Sequence, residues 1–199
     1  MRIKNWIKTV PTLVMIGSVL FLVLSVGSGL LMWGSGFAHN MVHNQLSEQK
    51  ISFPPKGSPG LDPKEFPGLQ RYAGQAVDSG PKAKAYADQF IKKHLEGVAD
   101  GQTYSQVSAK AQADPKNTEL QGQVQTLFRG ETLRGLLLYA WGWSVVGSIA
   151  LYVAWASMLG AIAILLALMV GFVAHERQLR RNVHAALPTV AGTRVPVSV

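Results

Sequence analysis

The sequence predicts a mostly α-helical membrane protein with two transmembrane helices, helical extensions beyond them, and a small external segment that combines helices with a Pro/Gly-rich loop. No Asp, Glu, Lys or Arg occurs between Lys8 and Glu48, or between Arg134 and Glu176. The hydrocarbon core of a bilayer is roughly 30 Å thick and needs about 20 apolar helical residues to cross it. Both stretches are long enough, and both are flanked by charged residues.

The basic flanks predict the topology. Three basic residues precede the first stretch, and Arg177, Arg180 and Arg181 follow the second, opposed only by Glu176. Basic residues next to short span ends stay in the cytoplasm. We therefore expect a multi-pass protein of the cell membrane with both termini cytoplasmic and residues of about 35–134 outside. The predicted segments are a cytoplasmic N-terminus at 1–9, transmembrane helix 1 at 10–34, the external segment at 35–134, an interfacial helix running into transmembrane helix 2 at 135–173, and a basic cytoplasmic tail at 174–199.

Two alternatives to these spans agree less well with the sequence. Residues 36–38 weakly resemble a signal cleavage site, but the apolar run from Val10 to Trp33 exceeds a normal signal core, which favours a retained anchor. The second stretch is longer than one span needs, yet no Pro or turn-forming pair marks a hairpin within 135–173. We expect its surplus, about Leu133 to Ser148, to continue as helix above the membrane, at the interface or covered by a partner.

The external segment divides into helix, loop and helices. We predict that residues 36–51 continue the first helix. Pro54 and Pro55 then end it, since proline lacks an amide donor. The many prolines and glycines of residues 53–80 predict an extended connection.

Helical patterns return after Ser79-Gly80-Pro81, with proline in the first turn. An apolar stripe follows at Tyr86, Ala87, Phe90, Ile91, Leu95 and Val98. Thr103 with Gln106 predicts a capping box for a short helix. Asp114-Pro115 opens the last helix, in which Leu120, Val124 and Leu127 share a face, and Gly130 is the expected break or bend.

Charge and cysteine content exclude several classes of function. The net charge is +8, but the residues between the two stretches mix acids and bases without a single-sign block. The excess is explained by membrane orientation and by attraction to anionic lipid headgroups, and not by nucleic acid. The chain has no cysteine, which excludes disulfides and thiolate chemistry.

No catalytic motif is present: the sequence has no phosphate-binding glycine loop with Lys, no Gly-x-Ser-x-Gly and no His-Glu-x-x-His. His39 and His43 lie four residues apart on a predicted helix, so both rings could face one metal ion. No further ligand lies close in sequence, and polar residues at the membrane boundary explain both histidines. We predict no enzyme activity, cofactor or metal site, with His39 and His43 as the weak metal candidates.

Small residues indicate where helices pack. A stripe of small side chains marks one face of the second span, and a shorter one marks the first. They are Ala156, Gly160, Ala163, Ala167 and Gly171, with Ser25 and Gly29. The stripes can join the two spans to each other, to other membrane subunits or to a second copy of the chain.

Residues beside the second span suggest a further contact. Arg129, Glu131 and Arg134 are predicted to dock a partner or lipid phosphates, or to act as a simple anchor with Glu131 paired to an arginine. Tyr139, Trp141 and Trp143 are typical of an interfacial aromatic belt.

Four segments carry a resemblance to a known family: HNQLSEQKISFP at 43–54, AYADQFI at 85–91, GQTY at 101–104 and LFRGETLRGLL at 127–137. Together they resemble an actinobacterial family of two-span membrane proteins of unknown function. The resemblance implies a shared architecture. Some relatives carry a ring-opening dioxygenase label, but that chemistry needs an iron site that these residues do not supply.

The leading functional hypothesis is a non-catalytic accessory or scaffold subunit of a larger membrane complex, for example a respiratory or other energy-converting one. Its partners are other membrane protein subunits. The alternative is a membrane-anchored external ligand-binding or sensory module.

Overall fold

The computed structural model describes the backbone of residues 2–186 and the side chains of residues 12–184. That part of the chain is mostly helical and contains no strand, which confirms the predicted fold class. Its only extended pairing is an antiparallel bridge between Ser52 and Ala76. The basic side chains Arg2, Lys4 and Lys8, and the tail beyond residue 186, lie outside the described residues.

Two long helices dominate the chain: α1, Arg2–Glu48, and α5, Thr118–Ala186. Both contain stretches that are long and apolar enough to cross a membrane, within Thr12–Glu48 and Thr118–His184. Helix α5 is continuous through the apolar surplus and through Gly130, so the predicted break at Gly130 is wrong. The absent side chain of Gly130 instead leaves room for Leu95, whose Cδ2 lies 2.4 Å from where a Cβ would stand.

The chain divides into two compact units. The first unit comprises Met1–Gly29 and Ala154–Val199. Here α1 and α5 are antiparallel neighbours, because Gly17 contacts Leu168 while Leu24, farther along α1, contacts Gly160, which comes earlier on α5. The Ser28 hydroxyl donates a hydrogen bond of 3.0 Å to the carbonyl of Ala154.

The second unit, Leu30–Val153, contains the shorter helices. They are α2 (Gly80–Ala85), a π-helical turn (Tyr86–Ile91), α3 (Lys92–Val98) and α4 (Tyr104–Ala113). Helix α4 has the predicted capping box between Thr103 and Gln106. Helix α5 begins at Thr118, a little later than Asp114-Pro115 predicted, because the side chain of Asn117 accepts the backbone N–H of Leu120 and caps the helix there.

The Pro/Gly-rich segment is folded, which corrects the predicted extended connection. It forms two 3₁₀ turns, Pro59–Leu61 and Pro67–Tyr72. It also buries five large apolar side chains: Phe53, Leu61, Phe66, Leu69 and Val77. Four of the five largest fully buried side chains in the described part of the chain therefore come from a segment whose composition is typical of a loop.

The predicted apolar stripe after Gly80 is confirmed, since Ala87, Ile91 and Leu95 are buried in the same core. The π-helical turn within it was not predicted. The backbone N–H of Lys92 bonds to the carbonyl of Ala87, five residues earlier. Such turns insert one extra residue into a helix and are frequent at functional sites.

Candidate interaction surfaces

A chain of charged groups joins the π-helical turn to α5. Asp88, within the turn, pairs with Lys84 and lies 3.5 Å from Arg134. Arg134 also lies 3.2 Å from Glu131, and the Lys84 ammonium stands 4.6 Å from the centre of the Trp141 ring. The hydrogen bond from Lys84, together with the charges of Lys84 and Arg134, lowers the pKa of Asp88. This network fixes α5 against the shorter helices.

The three residues predicted to dock a partner therefore have different environments. Arg134 and Glu131 pair with each other, and Arg134 also reaches Asp88. Arg129 is exposed and forms no ion pair with any described residue. Of the three, Arg129 is the one whose charge is left for an outside group.

The two candidate metal ligands make separate contacts. The Nδ1 of His39 lies 2.9 Å from the carbonyl of Ser35, and its Nε2 lies 3.3 Å from the Ser148 hydroxyl. The Nδ1 of His43 lies 3.0 Å from the carbonyl of Asp78. A backbone carbonyl on Nδ1 is a common arrangement behind a metal-binding imidazole. Among the described residues, however, no group of three or more His, Cys, Asp or Glu side chains comes together around them.

Asp78 adds a second polar junction near His43. Its carboxylate lies 3.0 Å from the ammonium of Lys82, one helical turn away. The hydrogen bond from Lys82 lowers the pKa of Asp78, although partial burial opposes this. The junction ties the start of α2 to α1 through the His43 contact with the Asp78 backbone.

The predicted small-residue stripe is mostly exposed, although Ala167 and Gly171 line a groove together with Leu13 and Gly17 of α1. Ala156, Ala163, Ala167 and Gly171 are exposed in the first unit, as is Gly29 on α1. Gly160 and Ser25 are half-buried, and a Cβ on Gly160 would lie 3.5 Å from Leu24. The side chains buried between α1 and α5 are those of Ala154, Ala161 and Ser28, one residue or more from the predicted positions.

A row of large apolar side chains on α5 faces away from the core of the second unit. We call this row the α5 apolar face; its members are Phe128, Leu136, Tyr139, Trp143 and Val146. At 100° per residue they fall within an arc of about 80°. The aromatic members have ring neighbours: Tyr139 lies edge-on to Trp143 at 6.3 Å, and Phe128 lies 5.8 Å from Tyr104 of α4.

Sequence reasoning did not single out this face. It placed Tyr139, Trp141 and Trp143 together in one aromatic belt, whereas the structure half-buries Trp141 beneath Lys84 and exposes the other two. All sides of α5 are apolar after Arg134, so no amphipathic pattern distinguishes the exposed side. Only the packing of α2 and α1 on the opposite side does so.

A shallow polar cleft of about 270 Å³ opens beside the π-helical turn. Its charged lining residues are Glu65, Asp88, Lys92, Lys93 and Glu96. Three acids and two bases line it, so the cleft has no strongly dominant charge. Comparisons of the chain with protein-family models, with curated proteins and with solved structures found no match.

Proposed function

We propose that this protein is a non-catalytic accessory or scaffold subunit of a larger membrane complex. The supporting observation is the length of exposed apolar surface on α5. Large apolar side chains are exposed from Phe128 to Val173, which is roughly 68 Å along a helix at 1.5 Å per residue. A bilayer covers roughly 30 Å of apolar surface. On α1, among the side chains that the structure describes (from Thr12 onward), the exposed large apolar ones run from Leu13 to Phe37, about 36 Å.

The excess on α5 calls for a covering other than lipid. Monomeric soluble surfaces rarely keep large contiguous apolar patches exposed, and such patches mark sites of interaction. A partner subunit that spans the membrane and stands beyond it beside α5 would cover this excess. The protein would then act by helix packing and by contact through its external unit.

The proposal includes a topology with both termini in the cytoplasm and residues of about 35–134 outside. The basic flanks of the two spans support it. Because the chain has no cysteine, single cysteines report topology cleanly. A membrane-impermeant maleimide should label Gln112→Cys in intact cells, and should label Arg181→Cys only after the membrane is opened. The reverse pattern would overturn the topology.

The test of the function is a mild-detergent pull-down of the tagged full chain from the membranes of the organism that makes it. We expect a stoichiometric set of membrane subunits from one complex. Tagged chain added only after solubilisation is the control, because it reports subunits that bind in detergent alone. Recovery of the protein by itself, or only as a homo-oligomer, would overturn the accessory-subunit proposal.

The polar cleft favours a second candidate, an external ligand-binding or sensory module. It offers both ammonium and carboxylate groups, including Lys92, Lys93 and Glu96, to a small zwitterionic ligand. A thermal-shift screen of amino acids and related zwitterions on the purified chain tests it. A shift that Lys92→Ala abolishes supports this candidate; no shift with any compound counts against it.

A further inference from the structure

We propose that the α5 apolar face binds an apolar helix of a different membrane protein, one that continues beyond the bilayer beside α5 and carries a carboxylate level with Arg129. This rests on the proposed function and names the surface and the chemistry of the partner. Lipid tails do not cover the face, because it lies beyond the hydrocarbon core of the bilayer.

Polar and charged groups lie at the level of the face on the opposite side of α5. Gly80, at the start of the lysine-bearing α2, packs so closely on Ser144 that a Cβ would lie 2.1 Å from its hydroxyl oxygen. The ammonium of Lys84 stands over Trp141. Charged side chains and a folded helical unit are not accommodated in the hydrocarbon core. Residues 128–144 of α5 therefore lie beyond it.

Contacts of helix α1 independently indicate that the face lies beyond the hydrocarbon core. His39 lies against Gly147, with ring atoms 2.8 Å from where a Cβ would stand. The residues of α1 that follow include Asn40, His43 and Asn44, and because the helices are antiparallel here they lie level with the Trp143–Val146 end of the face. A run of such polar side chains is typical of a helix that has left the hydrocarbon.

The spacing of the side chains along the face indicates that its partner is a helix. Its members recur at intervals of three, four and seven or eight residues along a straight row of roughly 27 Å. Rows of this kind bind another helix that packs alongside, and the large side chains of the row act as anchors. Leu136 and Tyr139, 62% and 66% exposed, are the most accessible members and stand in the middle of the row.

Charge distinguishes a different protein from a second copy. Arg129 flanks the row near its end and has no ion-pair partner among the described residues. If two copies were inserted in the same direction and packed through this face, Arg129 of one copy would lie close to Arg129 of the other. Like charges at an interface disfavour such a dimer. A carboxylate on a different chain would be attracted there.

Site-specific photo-crosslinking in native membranes tests the proposal. A benzophenone amino acid replaces Leu136 or Tyr139, and the matched control replaces Gln112, an exposed residue of α4. We expect crosslinks from the two α5 positions, and not from Gln112, to one apolar helical segment of one partner. Arg129→Glu should lower recovery of that partner at least tenfold, and replacing the facing carboxylate with lysine should restore it.

Other outcomes separate this inference from the proposed function. Crosslinks to a second copy of the chain would overturn the choice of partner. Crosslinks only to lipid, while the pull-down still returns a set of subunits, would overturn the inference and leave the accessory-subunit function standing. A pull-down that returns no subunits would overturn both. Size-exclusion profiles and thermal unfolding verify that each variant is folded.

Discussion

The backbone of Gly80 lies directly against the side chain of Ser144. A Cβ on Gly80 would stand 2.1 Å from the Oγ and 2.4 Å from the Cβ of Ser144, and 3.4 Å from the Cα of Trp141. The Cβ of Ser144 cannot be moved by a change of rotamer, so this contact requires glycine. It sets the distance at which α2 approaches α5, and with it the position of the charged network around Asp88.

Replacing Gly80 with alanine should therefore destabilise the second unit. Overpacking of a closely packed site typically costs about 1–3 kcal/mol. The measurement is the apparent melting temperature of the full chain in detergent, followed by tryptophan fluorescence. Gly97→Ala is the control, because a Cβ there meets nothing within 4 Å. Adding Ser144→Gly should recover part of the loss; a double variant as unstable as the sum of the two single ones would contradict the steric explanation.

Gly130 and Gly135 form a second matched pair on α5. A Cβ on Gly130 would meet the side chain of Leu95, whereas a Cβ on Gly135 meets nothing within 4 Å. Alanine is favoured over glycine inside a helix by about 0.5–1 kcal/mol. We expect Gly135→Ala to raise the melting temperature, and Gly130→Ala to give no gain or a loss, since the ends of Leu95 must move. Equal gains at both positions would show that Leu95 adapts freely.

The folded Pro/Gly-rich segment leads to a third prediction. Leu69 is fully buried in the core of the second unit. Leu→Ala changes at such sites typically cost about 2–5 kcal/mol, through lost burial and the cavity left behind. Leu69→Ala should lower the melting temperature strongly, and Lys56→Ala, on an exposed turn of the same segment, should not. If both variants melted like the wild type, the segment would contribute no core.

Local patterns predicted the helices better than the packing between them. The capping box at Thr103 and the stripe containing Ile91 follow from spacing alone. The burial of Phe53 and Leu69 in the core does not follow from spacing. The prolines and glycines around them mask any hydrophobic periodicity, and burial depends on contacts distant in sequence. The same limit applies to α5, where every side is apolar and only tertiary contacts decide which residues stay exposed. The π-helical turn likewise leaves no sequence signal that we recognise.

Acid should weaken the second unit through Asp88. Lys84 first, and then Arg134, lower the pKa of this carboxyl in the folded protein. A carboxyl in the unfolded chain titrates near pH 4. A group with a lowered folded pKa stabilises the fold above the unfolded value, and this stabilisation is lost as the pH falls through the folded pKa.

Melting temperatures measured between about pH 6 and pH 3 examine this dependence. We expect the wild type to lose stability at the acid end, and Asp88→Asn to start lower and fall less. Asp78, whose pKa is lowered by Lys82, contributes in the same direction, so Asp78→Asn serves as a parallel variant. An Asp88→Asn profile with the same acid slope as the wild type would show that the pair with Lys84 does not influence folding.

Disulfide trapping can decide which small residues of the second span meet the first. In the first unit a Cβ on Gly160 would lie 3.5 Å from the Cδ1 of Leu24, whereas Ala163 is exposed. At 3.6 residues per turn, residues three apart are offset by about 60° around the helix, so Gly160 and Ala163 should differ in how closely they approach Leu24. The cysteine-free chain makes every crosslink attributable to the introduced pair.

Leu24→Cys with Gly160→Cys should form an intramolecular disulfide under mild oxidation, and Leu24→Cys with Ala163→Cys should form far less. The readout is a mobility shift on a non-reducing gel that dithiothreitol reverses. Crosslinking of Ala163→Cys alone into dimers would instead assign the exposed part of the stripe to contacts between copies. Equal trapping of both intramolecular pairs would mean that α5 rotates against α1, and the specific contact between Leu24 and Gly160 would then be wrong.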